Sequence, residues 1–140
     1  TTYLGASPYD ITSSSVSAQV TPMLSQGLDG SQLTQFYVRD PANAGNYAVM
    51  GLSSTAFYCR VGDTVAGTSA IKKLRPYDSS GDALWRISEV TDSSGAHVFI
   101  FWTSADGQNW GERWRQPYQW DAASIDFFNH TVICADNRSS

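Results

Sequence analysis

Leu84-Trp85-Arg86-Ile87-Ser88-Glu89-Val90 and His97-Val98-Phe99-Ile100-Phe101-Trp102, joined through Asp92-Ser93-Ser94-Gly95, are the stretch that decides the fold. Trp85 and Ile87 alternate with Arg86 and Ser88, the period of two of a strand with one buried face. Asp, Ser and Gly between the runs supply the turn chemistry of an antiparallel hairpin, because they bridge or tolerate backbone conformations that other residues resist. A third run, Trp110-Gly111-Glu112-Arg113-Trp114-Arg115, follows Asp106-Gly107 and extends the hairpin to a three-stranded meander.

Outward from this meander the same grammar recurs. Strands are expected at Val16–Val20, Leu33–Arg39, Tyr47–Leu52, Ala56–Val61, Ser69–Leu74 and Ser124–Cys134, with Leu84–Thr91, His97–Thr103 and Trp110–Gln116 as the limits of the meander strands and a loop over Asp40–Asn46. No sustained helical spacing of apolar residues interrupts them. The class is therefore all-β, an antiparallel β-sandwich or a meander or barrel of about 8–10 strands, and residues 1–140 read as one β domain. Ser-rich Thr12–Ser17 reads either as a flexible entry or as an edge strand of small residues.

Net charge is −4, with 9 basic residues scattered along the chain and Lys72, Lys73 and Arg75 as the densest group. A phosphate-tracking cationic face is not indicated, so nucleic acid is not an expected partner. No apolar run is long enough for a membrane helix. Cys59 and Cys134, each in a strand-like apolar context, are expected to form a disulfide. Sequons at Asn129 and Asn137 and the scarcity of Lys and Glu add to the expectation of a secreted, extracellular glycoprotein. Two cysteines and two distant histidines lack zinc-ligand spacing, and the turn carboxylates Asp78, Asp82 and Asp92 lack a calcium-loop pattern. No metal or cofactor is expected.

The segment from Trp102 to Trp120 is the richest in binding chemistry. In a regular strand Trp110, Glu112 and Trp114 share one face while Arg113 and Arg115 share the other. A sugar offers apolar C–H faces and hydroxyl edges, so flat indoles beside amides and carboxylates suit it. The candidate ligand-binding residues are Asn109, Trp110, Glu112, Trp114, Tyr118, Trp120 and Asp121, with Trp110 and Trp120 as exposed platforms. The bland alternative is that these aromatics are core. Ser104-Ala105-Asp106-Gly107-Gln108-Asn109-Trp110 resembles the S-x-D-G-x-x-W hairpin of discoidin-type and other carbohydrate-binding sandwich modules, and more loosely the sialidase Asp box. The resemblance is confined to this hairpin. Discoidin-type domains carry paired cysteines near their two ends, whereas Cys59 lies mid-chain.

Catalytic signals are weaker. No serine stands in a nucleophile elbow, and His97 shares its strand face with Phe99 and Phe101, which favours a packed or hydrogen-bonded imidazole. Glu89 and Glu112 are the only glutamates available as a glycosidase pair. The reading that follows is a secreted, lectin-like, non-catalytic protein with glycans or glycoproteins as partners, and self-association into a homo-oligomer is expected because weak sugar sites gain from multivalency. The alternatives are a secreted immune-modulating, effector or toxin-like protein whose aromatic patch meets a protein or lipid partner, and a small glycoside hydrolase.

Overall fold

The computed structural model describes residues 2–4, 10–20, 33–53, 56–78, 80–123 and 125–132, with backbone alone for 2–4, 33, 53 and 127–132. Among them are the strands β1 (Thr2–Leu4), β2 (Ser15–Gln19), β3 (Leu33–Asp40), β4 (Asn43–Ser53), β5 (Phe57–Asp63), β6 (Thr68–Lys73), β7 (Leu84–Thr91), β8 (His97–Ser104), β9 (Trp110–Tyr118) and β10 (Asp126–Val132). No helix occurs among the described residues, and so none is long and apolar enough to cross a membrane.

The strands form two antiparallel sheets. The large sheet has six strands in the order β1-β10-β3-β4-β5-β6, and the small sheet has four in the order β2-β7-β8-β9. The expected meander is β7-β8-β9, and the Ser-rich stretch supplies β2, an edge strand on β7. The loop expected over Asp40–Asn46 shrinks to a turn at Pro41 and Ala42, because Asp40 already pairs with Asn43. Its carboxylate accepts the Ala42 N–H at 2.9 Å, which closes the turn locally.

Alternation decides which side chains meet between the sheets. Phe36, Val38, Ala48, Met50, Leu52, Phe57, Cys59 and Val61 of the large sheet pack in one cluster with Val16, Trp85, Ile87, Phe99 and Phe101 of the small one. Trp85 is fully buried, its ring centroid 5.3 Å from Phe57, and its indole N–H donates to the Asp82 carbonyl at 2.9 Å. Each such large side chain removed from water contributes roughly 1.5–3 kcal/mol. A polar tie adds to the apolar contact: Asp63 accepts the N–H groups of Val65 and Ala66 at 3.1 Å and of Gln119 at 2.7 Å, joining the β5–β6 turn to the end of β9.

Cys59 corrects an expectation. It is a free thiol with no exposed surface, and burial pushes its pKa far above the ordinary thiol value. No disulfide pair is present among the described residues, and Cys134 lies outside them. Cys59 contributes as a small core hydrophobe packed among Met50, Val61 and their neighbours. Of the two sequons, Asn129 lies on β10 opposite Tyr3 and Phe36, its side chain outside the described set, and Asn137 lies outside the described residues. Alkylation without reductant, followed by peptide mapping, is expected to leave Cys59 unmodified in the native protein and to modify it after denaturation. Recovery of a Cys59–Cys134 disulfide peptide contradicts this.

Candidate functional site

The aromatic segment of β9 does not form the platform that regular alternation implies. The β8–β9 register shifts between Phe101 and Trp102, so that Phe101 stands opposite Trp114 while Trp102 stands opposite Glu112. Arg113 is the extra residue of this bulge, and it sends Trp114 and Glu112 to opposite faces. Trp114 turns inward onto Phe101, with centroids 5.6 Å apart, and Arg113 donates from Nε to Thr103 Oγ1 at 2.8 Å. Tyr118 and Trp120 are buried, Trp120 at only 3 % exposure, which overturns its expected role as an exposed platform. Both pack on Phe99.

The remaining candidates are each committed to contacts within the protein. Asn109 and Asp106 hold the β8–β9 turn: Asp106 accepts the N–H groups of Gln108 and Asn109 at 2.8 and 2.9 Å and the Asn109 side-chain amide at 2.9 Å, and these bonds keep its carboxyl well below the usual range. Gly107 takes a left-handed φ of 79° there, and the Trp110 indole donates back to its carbonyl at 3.1 Å. The hairpin that resembles carbohydrate-binding modules is thus a self-contained turn. Asp121 caps the Ala123 N–H at 2.9 Å, and Glu112 is held by Arg115 at 2.7 and 2.8 Å. On the outer face of the small sheet Arg86 lies against two indoles, its Cζ 4.1 Å from the Trp110 centroid and 5.2 Å from that of Trp102. Trp102 spends its N–H on Ser88 Oγ at 2.7 Å. Both indoles are therefore occupied by the protein itself.

A polar cluster lies at the inner edge of the small sheet. The Glu89 side chain has no exposed surface, yet Oε2 accepts from the Tyr118 hydroxyl at 2.8 Å and lies 2.6 Å from His97 Nδ1, while Oε1 accepts the Ser13 N–H at 2.7 Å. Ser13 adopts a left-handed φ of 56°, in a turn closed by the Ser14 N–H on the Ile11 carbonyl at 2.8 Å. Burial and the Glu89 contact both raise the Tyr118 pKa, which keeps the phenol neutral. The cluster satisfies a buried carboxyl and pins the 10–14 turn to β7. Glu89 faces inward and Glu112 outward, so these two cannot flank one glycosidic bond.

Among the described residues a concave surface lies on the outer face of the large sheet. Register places three rows there: Arg39, Tyr47, Gly62 and Ser69; Tyr37, Val49, Arg60 and Ile71; Gln35, Gly51, Tyr58 and Lys73. Tyr47 stands opposite Gly62 and Tyr58 opposite Gly51. A Cβ at either glycine would collide with the facing ring, so each phenol occupies the space that a side chain at its glycine would need. Between the rings a groove of about 270 Å³ opens over Val49, lined by Gln35, Tyr37, Arg39, Ala44, Tyr47, Tyr58 and Arg60. Hydrogen bonds fix its wall: Tyr37 Oη donates to Gln35 Oε1 at 2.6 Å, and Gln35 Nε2 donates to Tyr58 Oη at 2.8 Å. Burial raises the Tyr37 pKa, opposed by the Arg39 and Arg60 charges. The groove offers phenol faces, hydroxyls, a positioned amide and the Arg60 guanidinium.

None of these lining residues belonged to the expected site. Each stands alone in the sequence between unremarkable neighbours, and only the β4–β5 register shows that glycine faces tyrosine. No protein-family model matches the chain, and no curated protein or solved structure shows significant similarity to it. Replacement Gly51→Ala is expected to lower unfolding free energy by about 1–3 kcal/mol, the usual cost of overpacking, as the Tyr58 ring is lifted. An unchanged denaturant midpoint contradicts this packing.

Proposed function

We propose that this protein is a secreted, non-catalytic carbohydrate-binding protein whose sugar site is the tyrosine–glycine groove on the large sheet. The observation that carries the reading is the pair of phenol rings set against Gly51 and Gly62 beside Gln35, Arg39 and Arg60. The ring faces suit the C–H surface of a pyranose, and the amide and guanidinium groups suit its hydroxyl edge. The rings are held before any ligand arrives, which reduces the ordering cost of binding. A single shallow site binds weakly, so a homo-oligomer that presents several grooves to a glycan surface belongs to the same proposal.

Saturation-transfer NMR against free monosaccharides, together with a glycan array, tests this reading. Wild-type protein is expected to bind selectively and to be competed by free sugar. Tyr58→Ala, with its fold checked by circular dichroism, is expected to weaken binding at least tenfold. A blank array with no saturation transfer overturns the proposal.

The outer face of the small sheet supports a second reading. Trp102, Arg86 and Trp110 form a stacked aromatic and cationic patch fit for a protein or lipid head-group partner. Cell binding that survives Tyr58→Ala but is lost in Trp110→Ala favours that reading.

A further inference from the structure

We infer that the groove selects an acidic sugar, a single ring bearing a carboxylate that pairs with Arg60; this rests on the carbohydrate reading above. The groove is lined by Arg39 and Arg60 and by no carboxylate, in a chain whose net charge is −4. Two acidic residues near the large sheet are directed elsewhere. Asp63 is buried and faces inward onto backbone N–H groups, and Asp40 is engaged by Ala42 and Asn46. Asp126 stands opposite Arg39 on β10 but is not part of the groove lining. Lys73 adds a further cation on this face, opposite Tyr58.

Arg60 has the geometry for the task. Its Nε donates to Ser69 Oγ at 3.3 Å, and its Cζ lies 5.9 Å from the Tyr47 ring centroid. Those contacts orient the guanidinium. Among the described residues they leave its two terminal nitrogens with no ion pair or hydrogen bond. By contrast, Arg75 is committed to Asp82 and Arg115 to Glu112. The planar edge of two terminal N–H groups is the fork that takes a carboxylate in bidentate fashion. The Tyr58 hydroxyl accepts from Gln35, so its own proton is left to donate elsewhere, as a ligand oxygen would require. A volume of about 270 Å³ lies just below the usual 300–1,000 Å³ of drug-sized pockets, which suits one pyranose ring.

Titration calorimetry with glucuronate and galacturonate, the corresponding neutral hexoses and the methyl esters tests the inference on the intact chain. At least one uronate is expected to bind tenfold or more tightly than its hexose and its ester, as a charge-assisted pair implies. The advantage is expected to shrink as salt rises, because the groove is open to solvent. Arg60→Gln is expected to bring the uronate within about twofold of the neutral hexose, and Arg60→Lys to restore only part of the difference. Equal affinity for acid, ester and hexose overturns the acidic-sugar inference and leaves the carbohydrate reading standing. Binding of acetate as tight as that of the uronates, or no binding of any sugar by folded protein, overturns both.

Discussion

Closure of the small sheet on the large one, with Trp85, Ile87, Phe99 and Phe101 seated among Phe36, Val38, Met50 and Cys59, is the constraint from which the other surfaces follow. Side chains alternate along a strand, so burying one parity assigns the other parity to the outer faces. Because Phe36 and Val38 go inward, Gln35, Tyr37 and Arg39 go outward; because Ala48 and Met50 go inward, Tyr47, Val49 and Gly51 go outward. A slip of one residue on β4 or β5 would bury Tyr47 or Arg60 and expose Met50 or Cys59. The groove is therefore secured by packing on the far side of its own sheet.

The two outer faces use the same residue types to opposite effect. On the large sheet Tyr47 and Tyr58 each meet glycine across the β4–β5 pair, which leaves a hollow over Val49 between the two phenols. On the small sheet Arg86 lies against two tryptophans and Arg115 lies on Glu112, so side chains there pack on one another and leave no comparable hollow among them. The S-x-D-G-x-x-W hairpin serves the fold. Asp106 and the Trp110 indole N–H spend their hydrogen bonds within the turn.

The architecture was largely legible in the amino-acid sequence, because period-two alternation and Asp, Ser and Gly turns are local signals. Leu84–Thr91 appeared with its observed limits, and the Ser-rich edge strand was one of two readings that composition allowed. The candidate site was not legible. Three side chains from β3, three from β4 and two from β5 make the groove, and their convergence depends on strand register, which no local pattern encodes. The β9 aromatics misled for a related reason. One bulged residue, Arg113, reverses the alternation on which their common face was argued, and Trp120 is drawn into the core beside Phe99. The disulfide expectation rested on cysteine count and context, whereas Cys59 is simply one more apolar occupant of the interior.

Charge sharpens the contrast between interior and groove. Asp82 and Glu89, both buried, each receive several donors, so the carboxyls that the core encloses are matched within it. Arg60, at the open groove, retains terminal donors for a ligand. Inward packing of the sandwich displays on the large sheet the groove that we propose as a ligand site, and amide chemical-shift mapping by two-dimensional NMR during titration with a uronate is the decisive measurement. Shifts are expected to concentrate at Gln35, Tyr37, Arg39, Tyr47, Val49, Tyr58 and Arg60. Shifts centred on Trp102, Trp110 and Glu112, with the groove amides unmoved, would contradict that proposal.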